Sequence, residues 1–430
     1  MLAGLAMVAG LGVGRFVTAG GDDRPTTTAA PSSSTAGSPD ARLASLEAVV
    51  AADPADADAW LQLATAYTEL GARTQDPDLI ESASQALDRV TALAGDDPRI
   101  VVGRGVLALT NHEFADALAL GEEAVRRLPS NADALGVLVD AQVELGRYDD
   151  AAESLQRLLD VRPGLPALAR TSYLRELAGD TREAADAMRA AVAAGSSAYD
   201  VATVTALLGD LHRKSGDLGA ADQAYRRALD DAPELVTAQA GAAWVRAGRG
   251  DVAGAIADVQ DLVDEVPSPS LLLLLHDLQA GSGAAGAADT AELVRAVASL
   301  QEASGQVVDL EMALFEADVA DDPDRAVELA RRAQAARPDN VFVDDAMAWA
   351  LFRAGDVDAA VPFAEEALRL GTTEPSVRYH AAEILAAAGR TDEASEHLAV
   401  ALRDPWFSFQ HRDRALAFAA ELGVPLTATA

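Results

Sequence analysis

The sequence predicts an all-α protein: a stack of about ten helix hairpins with one further helix closing its C-terminal end. Two near-copies of one stretch carry this prediction. GDLGAADQAYRRALDDAP (Gly216–Pro233) and GDVAGAIADVQDLVDEVP (Gly250–Pro267) align without a gap, 34 residues apart. A fixed period of that length, with small residues at fixed places, marks hairpins that bury their faces only against neighbours. Composition agrees. Half of the 430 residues are hydrophobic but only 4% are aromatic, so the core must be mostly Ala and Leu, which suit close-packed helices.

Taken in order, residues 1–20 are apolar with one charge, Arg15. Met1–Gly14 is shorter than the roughly 20 residues that span a bilayer. With Arg15 reaching toward the headgroups, Met1–Ala19 just suffices. The basic flank of a signal peptide is missing. We expect a membrane anchor here, the alternative being a Gly/Ala-rich tail. Residues 21–40 (GDDRPTTTAAPSSSTAGSP through Pro39) form a Pro/Thr/Ser-rich linker that buries too little surface to fold. An apolar segment, a stalk and an acidic helical body together point to an anchored, extracytoplasmic layout.

Residues 41–405 hold the array. Arg42–Ala52 leads it and stops at Asp53-Pro54. The first hairpin opens with WLQLATAY (Trp60–Tyr67), and an insertion over Ala72–Ser82 loosens its register. The second runs from Pro98 with Gly105, Ala117, Ala124 and Pro129; the third holds Leu135, Leu138, Gly146, Tyr148, Ala151, Leu155 and Pro163. The fourth (Pro166–Gly195) keeps Gly179, Ala184, Met188 and Ala191 but no closing proline. After the two matched copies, Ser270–Ser304 is degenerate, Val307–Pro338 resumes the register, and Phe342–Gly371 and Pro375–Pro405 are strong final copies. Residues 406–424 form a capping helix, which shields the last open face.

The physical demands of the fixed positions are specific. Ala151, Ala221, Ala255 and Ala360 fall where the two helices of a hairpin cross, and a larger side chain would part them. Gly146, Gly216, Gly250, Gly355 and Gly389 fall just past the first helix, where a left-handed cap favours glycine. The prolines stop second helices. On these residues, and on Trp60, Leu63 and Tyr67 at the spacing W-x2-L-x3-Y with Ala64 in place of the usual glycine, the chain resembles the tetratricopeptide repeat family. Its layout is similar to that of bacterial membrane-anchored members. The resemblance implies a right-handed α-solenoid without catalytic function, in which the first helices line a concave groove that holds protein or extended peptide segments.

Charge and cysteine usage narrow the function. A formal net charge of −34 repels phosphate backbones, so no nucleic-acid partner is expected. Without cysteine there is no disulfide, thiolate metal site or cysteine nucleophile. The six histidines show no metal-ligand spacing, and His112-Glu113 continues to Asp116 rather than a second His. His411-Arg-Asp413 lacks the other parts of a kinase. Gly281-Ser-Gly-Ala-Ala-Gly286 matches G-x-G-x-x-G, but that fingerprint needs a strand running into its first glycine, and a helix belongs there instead. No enzyme, cofactor, metal or small-molecule substrate is therefore expected, a nucleotide-dependent enzyme using Gly281–Gly286 being the alternative from another class.

Carried onto this chain, the groove positions are Arg170, Asp210, Arg213, Lys214 and Trp244 in the middle, then Phe342, Trp349, Phe352, Arg353 and Tyr379 near the end. The tryptophans suit interface anchors in a chain poor in aromatics, or simple packing between hairpins. The cations suit a partner carboxylate, or pair with neighbouring Asp. Lys214 is the chain's only lysine, so the lysine-and-asparagine clamp of chaperone-binding relatives is absent. The resulting expectation is a scaffold or assembly factor tethered to a membrane. Its alternatives are an anchored chaperone for cytochrome c or other envelope-protein maturation, and a soluble cytoplasmic adaptor.

Overall fold

The computed structural model describes residues 39–74, 76–303, 308–319 and 322–425. The expected anchor and the linker up to residue 38 lie outside them. Every regular element among the described residues is a helix. The leading helix α1 (Pro39–Ala52) begins inside the stretch expected to be linker.

Ten hairpins follow. They are α2 (Ala57–Thr74) with α3 (Pro77–Ala94), α4 (Pro98–Thr110) with α5 (Phe114–Arg127), and α6 (Ala132–Glu144) with α7 (Tyr148–Val161). Next come α8 (Leu165–Leu177) with α9 (Thr181–Ala194), α10 (Ala198–Lys214) with α11 (Leu218–Asp231), and α12 (Val236–Gly248) with α13 (Val252–Glu265). The degenerate seventh is α14 (Pro269–Ser282) with α15 (Ala287–Ala303). The last three are α16 (Asp309–Val319) with α17 (Pro323–Ala336), α18 (Val341–Arg353) with α19 (Val357–Ala367), and α20 (Pro375–Ala387) with α21 (Thr391–Ala401). The terminal helix α22 spans Arg412–Leu422 only. Residues 406–411, expected to be helical, make a turn-rich connection instead.

The described chain divides into two compact units, one holding residues 39–142 and 153–162, the other 143–152 and 163–425. In the first, residues of the insertion at Ala72–Ser82 fall in both α2 and α3, each 18 residues long, and the Asp76 carboxylate caps α3 by accepting from Asp78 N–H. Leu61 and Ala64 bury against Ile80, Ala83, Leu87 and Val90, while Leu63 faces Val50 of α1. The Tyr67 hydroxyl donates to Glu47 at 2.8 Å, and the Trp60 indole to Pro54 O at 3.2 Å. The residues that carry the family signature thus tie the leading helix to the first hairpin.

In the second unit the hairpin turns explain the period. The glycines at 146, 216, 250, 355 and 389 all have φ between 73° and 99°, the left-handed region. In three of these turns an aspartate follows. Asp217, Asp251 and Asp356 each accept from the backbone N–H three residues on and cap the second helix. Such a cap contributes about 1 kcal/mol. The crossing alanines Ala151, Ala221, Ala255 and Ala360 have no exposed surface. Pro98, Pro269, Pro323 and Pro375 start helices, where the missing N–H costs nothing. Pro233, Pro267 and Pro338 stand in the loops between hairpins.

Candidate partner-binding site

The groove positions of the second unit form two clusters. In the first, the last turn of α10 carries Asp210, Arg213 and Lys214 inward. The Lys214 ammonium lies 2.5 Å from Glu176 of α8 and 2.9 Å from Glu374, the residue before α20. Burial works against its charge, but the two carboxylates outweigh it and push the pKa up. Glu374 is likewise buried, yet Lys214 holds its pKa below the ordinary carboxylate range. Arg213 stacks 4.5 Å over the Trp244 ring and reaches Asp404 at 3.4 Å. Burial raises Asp404 to about 6 despite Arg213. Asp210 accepts the Tyr225 hydroxyl at 2.6 Å. Two cations here face four carboxylates of their own chain, and their charge is already met.

Trp244 is buried and meets Phe409 edge-on at 5.6 Å. Arg170 is buried in α8, and its guanidinium donates to Pro166 O at 3.1 Å.

The second cluster surrounds Trp349, which is fully buried. Its indole N–H donates to Asp318 of α16 at 2.7 Å, and its ring stacks on His380 of α20 at 4.2 Å. His380 Nδ1 pairs with Asp345 at 3.0 Å. His411 Nε2 lies 3.0 Å from Asp318, an ion-pair distance at an angle outside hydrogen-bond range. Burial disfavours charge on both partners of that pair. Their mutual attraction wins, lowering Asp318 and raising His411. Tyr379, also fully buried, donates to Glu383 at 2.8 Å and packs on Phe407 and His411. Phe352 lies 5.4 Å from the Trp349 ring and the Arg353 guanidinium 5.6 Å from it; both are half-buried. Phe342 is half-buried against the same core.

The sequence reasoning named Trp349 and Tyr379 but missed His380, His411, Asp318 and Asp345. The signal was available. Asp318, Trp349, His380 and His411 are spaced by 31 residues at each step, three short of the 34-residue period, so each falls about one helical turn earlier in its repeat than the one before. A search for metal-ligand spacing within single helices could not find a ladder that runs between hairpins. Among the described residues, no group of three or more such side chains is arranged to hold a metal.

At Gly281–Gly286 the structure has a helix where the dinucleotide fingerprint needs a strand. Helix α14 continues through Gly281 to Ser282 and ends at Gly283 in a left-handed cap, with no strand before it. Gly281 packs so closely on the Phe409 backbone that any Cβ would collide with it.

Two family models, both described as tetratricopeptide repeat, match the chain. One covers residues 108–171 and 351–405, the other 79–132 and 206–268. Comparison with curated proteins gives no match. Among solved structures the chain is similar to the human IFIT1 dimer with PPP-AAAA, at 15% identity over 85% of this chain and 86% of that one, with a TM-score of 0.47. It is also similar to the APC/C hetero-tetramer Cut9-Hcn1 (13%, 87% and 92%, 0.40) and to the yeast Tom70 (13%, 84% and 96%, 0.35). The repeated match along the sequence and the ten described hairpins agree: the chain belongs to the tetratricopeptide repeat family.

Proposed function

We propose that the chain is a protein-interaction scaffold that holds protein or extended peptide segments and is tethered to a membrane by residues 1–20. The observation that carries the scaffold reading is the run of ten hairpins among the described residues, a fold that builds long surfaces rather than a single enclosed site. The tether rests on the order of apolar segment, stalk and helical body in the sequence. No described helix is long and apolar enough to cross a membrane, so the tether depends wholly on the segment outside them. Strong negative charge favours basic over acidic partners by long-range attraction.

Two experiments test this reading. Proteins captured by the full chain from native envelope extracts are identified, purified and titrated back against it. Saturable binding by a purified protein supports the scaffold; retention that never reconstitutes refutes it. Separately, the full chain is compared with a chain lacking residues 1–20 by fractionation. Recovery of both in the soluble fraction removes the tether.

A further inference from the structure

Within the second unit the stack curves back on itself, and the turns of early hairpins meet the loops of late ones in register. Gly146 faces Asp339 O, Gly179 faces Gly371 O, and Gly216 faces Arg403 O, each so closely that any Cβ would collide with the carbonyl. Between these points the seam is polar. Asn340 Nδ2 donates to Glu144 O at 2.9 Å, Val341 N to the Tyr148 hydroxyl at 3.1 Å, and Arg337 pairs with Glu144 at 3.1 Å. Lys214 bridges Glu176 and Glu374, and Arg213 reaches Asp404. Toward the chain-continuous end the seam is of another kind. Trp244 packs on Phe409, Trp406 lies beside Gly248, and Asp277 accepts from Ser408 Oγ, Phe409 N and Gln410 N at 2.7–3.0 Å.

We propose that this seam is a latch: its polar stretch, from Gly146–Asp339 to Gly216–Arg403, parts and recloses while the Trp244–Phe409 end stays shut. The physical basis is the difference between the two directions of packing. Along the stack, hairpins are joined by buried Ala and Leu, and each is stabilised by its immediate neighbours. Across the polar stretch, closure exchanges hydrated ions and amides for ion pairs and hydrogen bonds, a near-balanced trade. Parting it unfolds no hairpin. Opening frees Arg213 and Lys214 from Asp404 and Glu374, two of the cations expected to serve a partner. The use of the open form in partner holding rests on the scaffold reading; the latch itself does not.

Lys214 is the reporter, because no other lysine competes in the chain. Its acylation by an amine-reactive ester is followed by peptide mass spectrometry and compared with free Nα-acetyllysine. When reclosing is fast, the rate reports the population of the open form. Two variants separate the seam from the turn. Gly179→Ala and Gly389→Ala carry the same backbone strain, with φ 76° and 79°, but only residue 179 meets a carbonyl across the seam. We expect wild-type Lys214 to react at least about ten-fold slower than free lysine, and Gly179→Ala to speed it by about ten-fold with helix content unchanged. Gly389→Ala should leave the rate near wild type. Unprotected Lys214 in the wild type overturns the latch. So does equal acceleration by both variants, no acceleration by either, or loss of helix content in Gly179→Ala at the assay temperature.

Discussion

Asp344→Asn should make the protein more stable at pH 8 and leave it unchanged near pH 4. Asp344 lies in the first turn of α18 with its carboxylate 7% exposed, and the single cation near it, Arg369, stands 3.9 Å away. Burial raises its pKa from 3.8 to about 7, more than Arg369 can offset, with Glu366, Asp339 and Asp345 adding to the rise. The folded chain therefore keeps a proton that the unfolded chain releases between these two values. Stability from this group falls as pH climbs from about 4 to about 7, then levels off. Some three pKa units at 1.36 kcal/mol each set an upper bound of about 4 kcal/mol. Local relaxation would leave on the order of 2 kcal/mol. Urea unfolding of both proteins from pH 4 to 8.5 measures the difference, and groups common to the two cancel. A difference that does not change with pH, or an Asn variant less stable at pH 8, would refute the reasoning. Either result would mean that Asp344 is charged and held by Arg369.

Trp349→Ala removes the largest fully buried side chain and leaves Asp318 without one donor; it should cost about 3–5 kcal/mol, read from the same urea titration. Ala360→Leu puts three extra carbons where α18 and α19 cross with no space, and should cost about 1–3 kcal/mol, more than the same change at exposed Ala303. Asp277→Ala takes away the acceptor of three hydrogen bonds that fold residues 408–410 onto α14. Proteolysis between Trp406 and His411 should then accelerate while the earlier hairpins stay resistant.

How much of this was legible depends on the range over which each feature is determined. The hairpins are local. A glycine that must turn left-handed, an alanine that must be small and a proline that must end a helix act within about ten residues of themselves, and a sequence displays them directly. The side chains of the candidate site have surroundings that no local stretch of sequence displays. Lys214 is the last residue of a first helix, and its counter-ion Glu374 lies 160 residues away. Nothing local to either residue encodes that pairing. The aromatic cluster is an intermediate case, since its 31-residue step from Asp318 to His411 is written in the sequence but has meaning only once neighbouring hairpins stack.

The same distinction of range bears on what the second unit can do. Interactions within and between adjacent hairpins are apolar, numerous and short in sequence separation, so they form early and persist. The polar stretch of the seam joins residues up to nearly 200 positions apart through a few contacts, each worth little more than the hydration it replaces. A structure assembled from strong local and weak distant contacts has its softest motion fixed in advance. The hairpins move as bodies, and the seam is where they separate. Any partner that gains access to Arg213 and Lys214 must offer their charges at least what Asp404 and Glu374 already provide. Specificity in this unit would then be set by competition with its own C-terminal loops rather than by an empty groove awaiting a ligand.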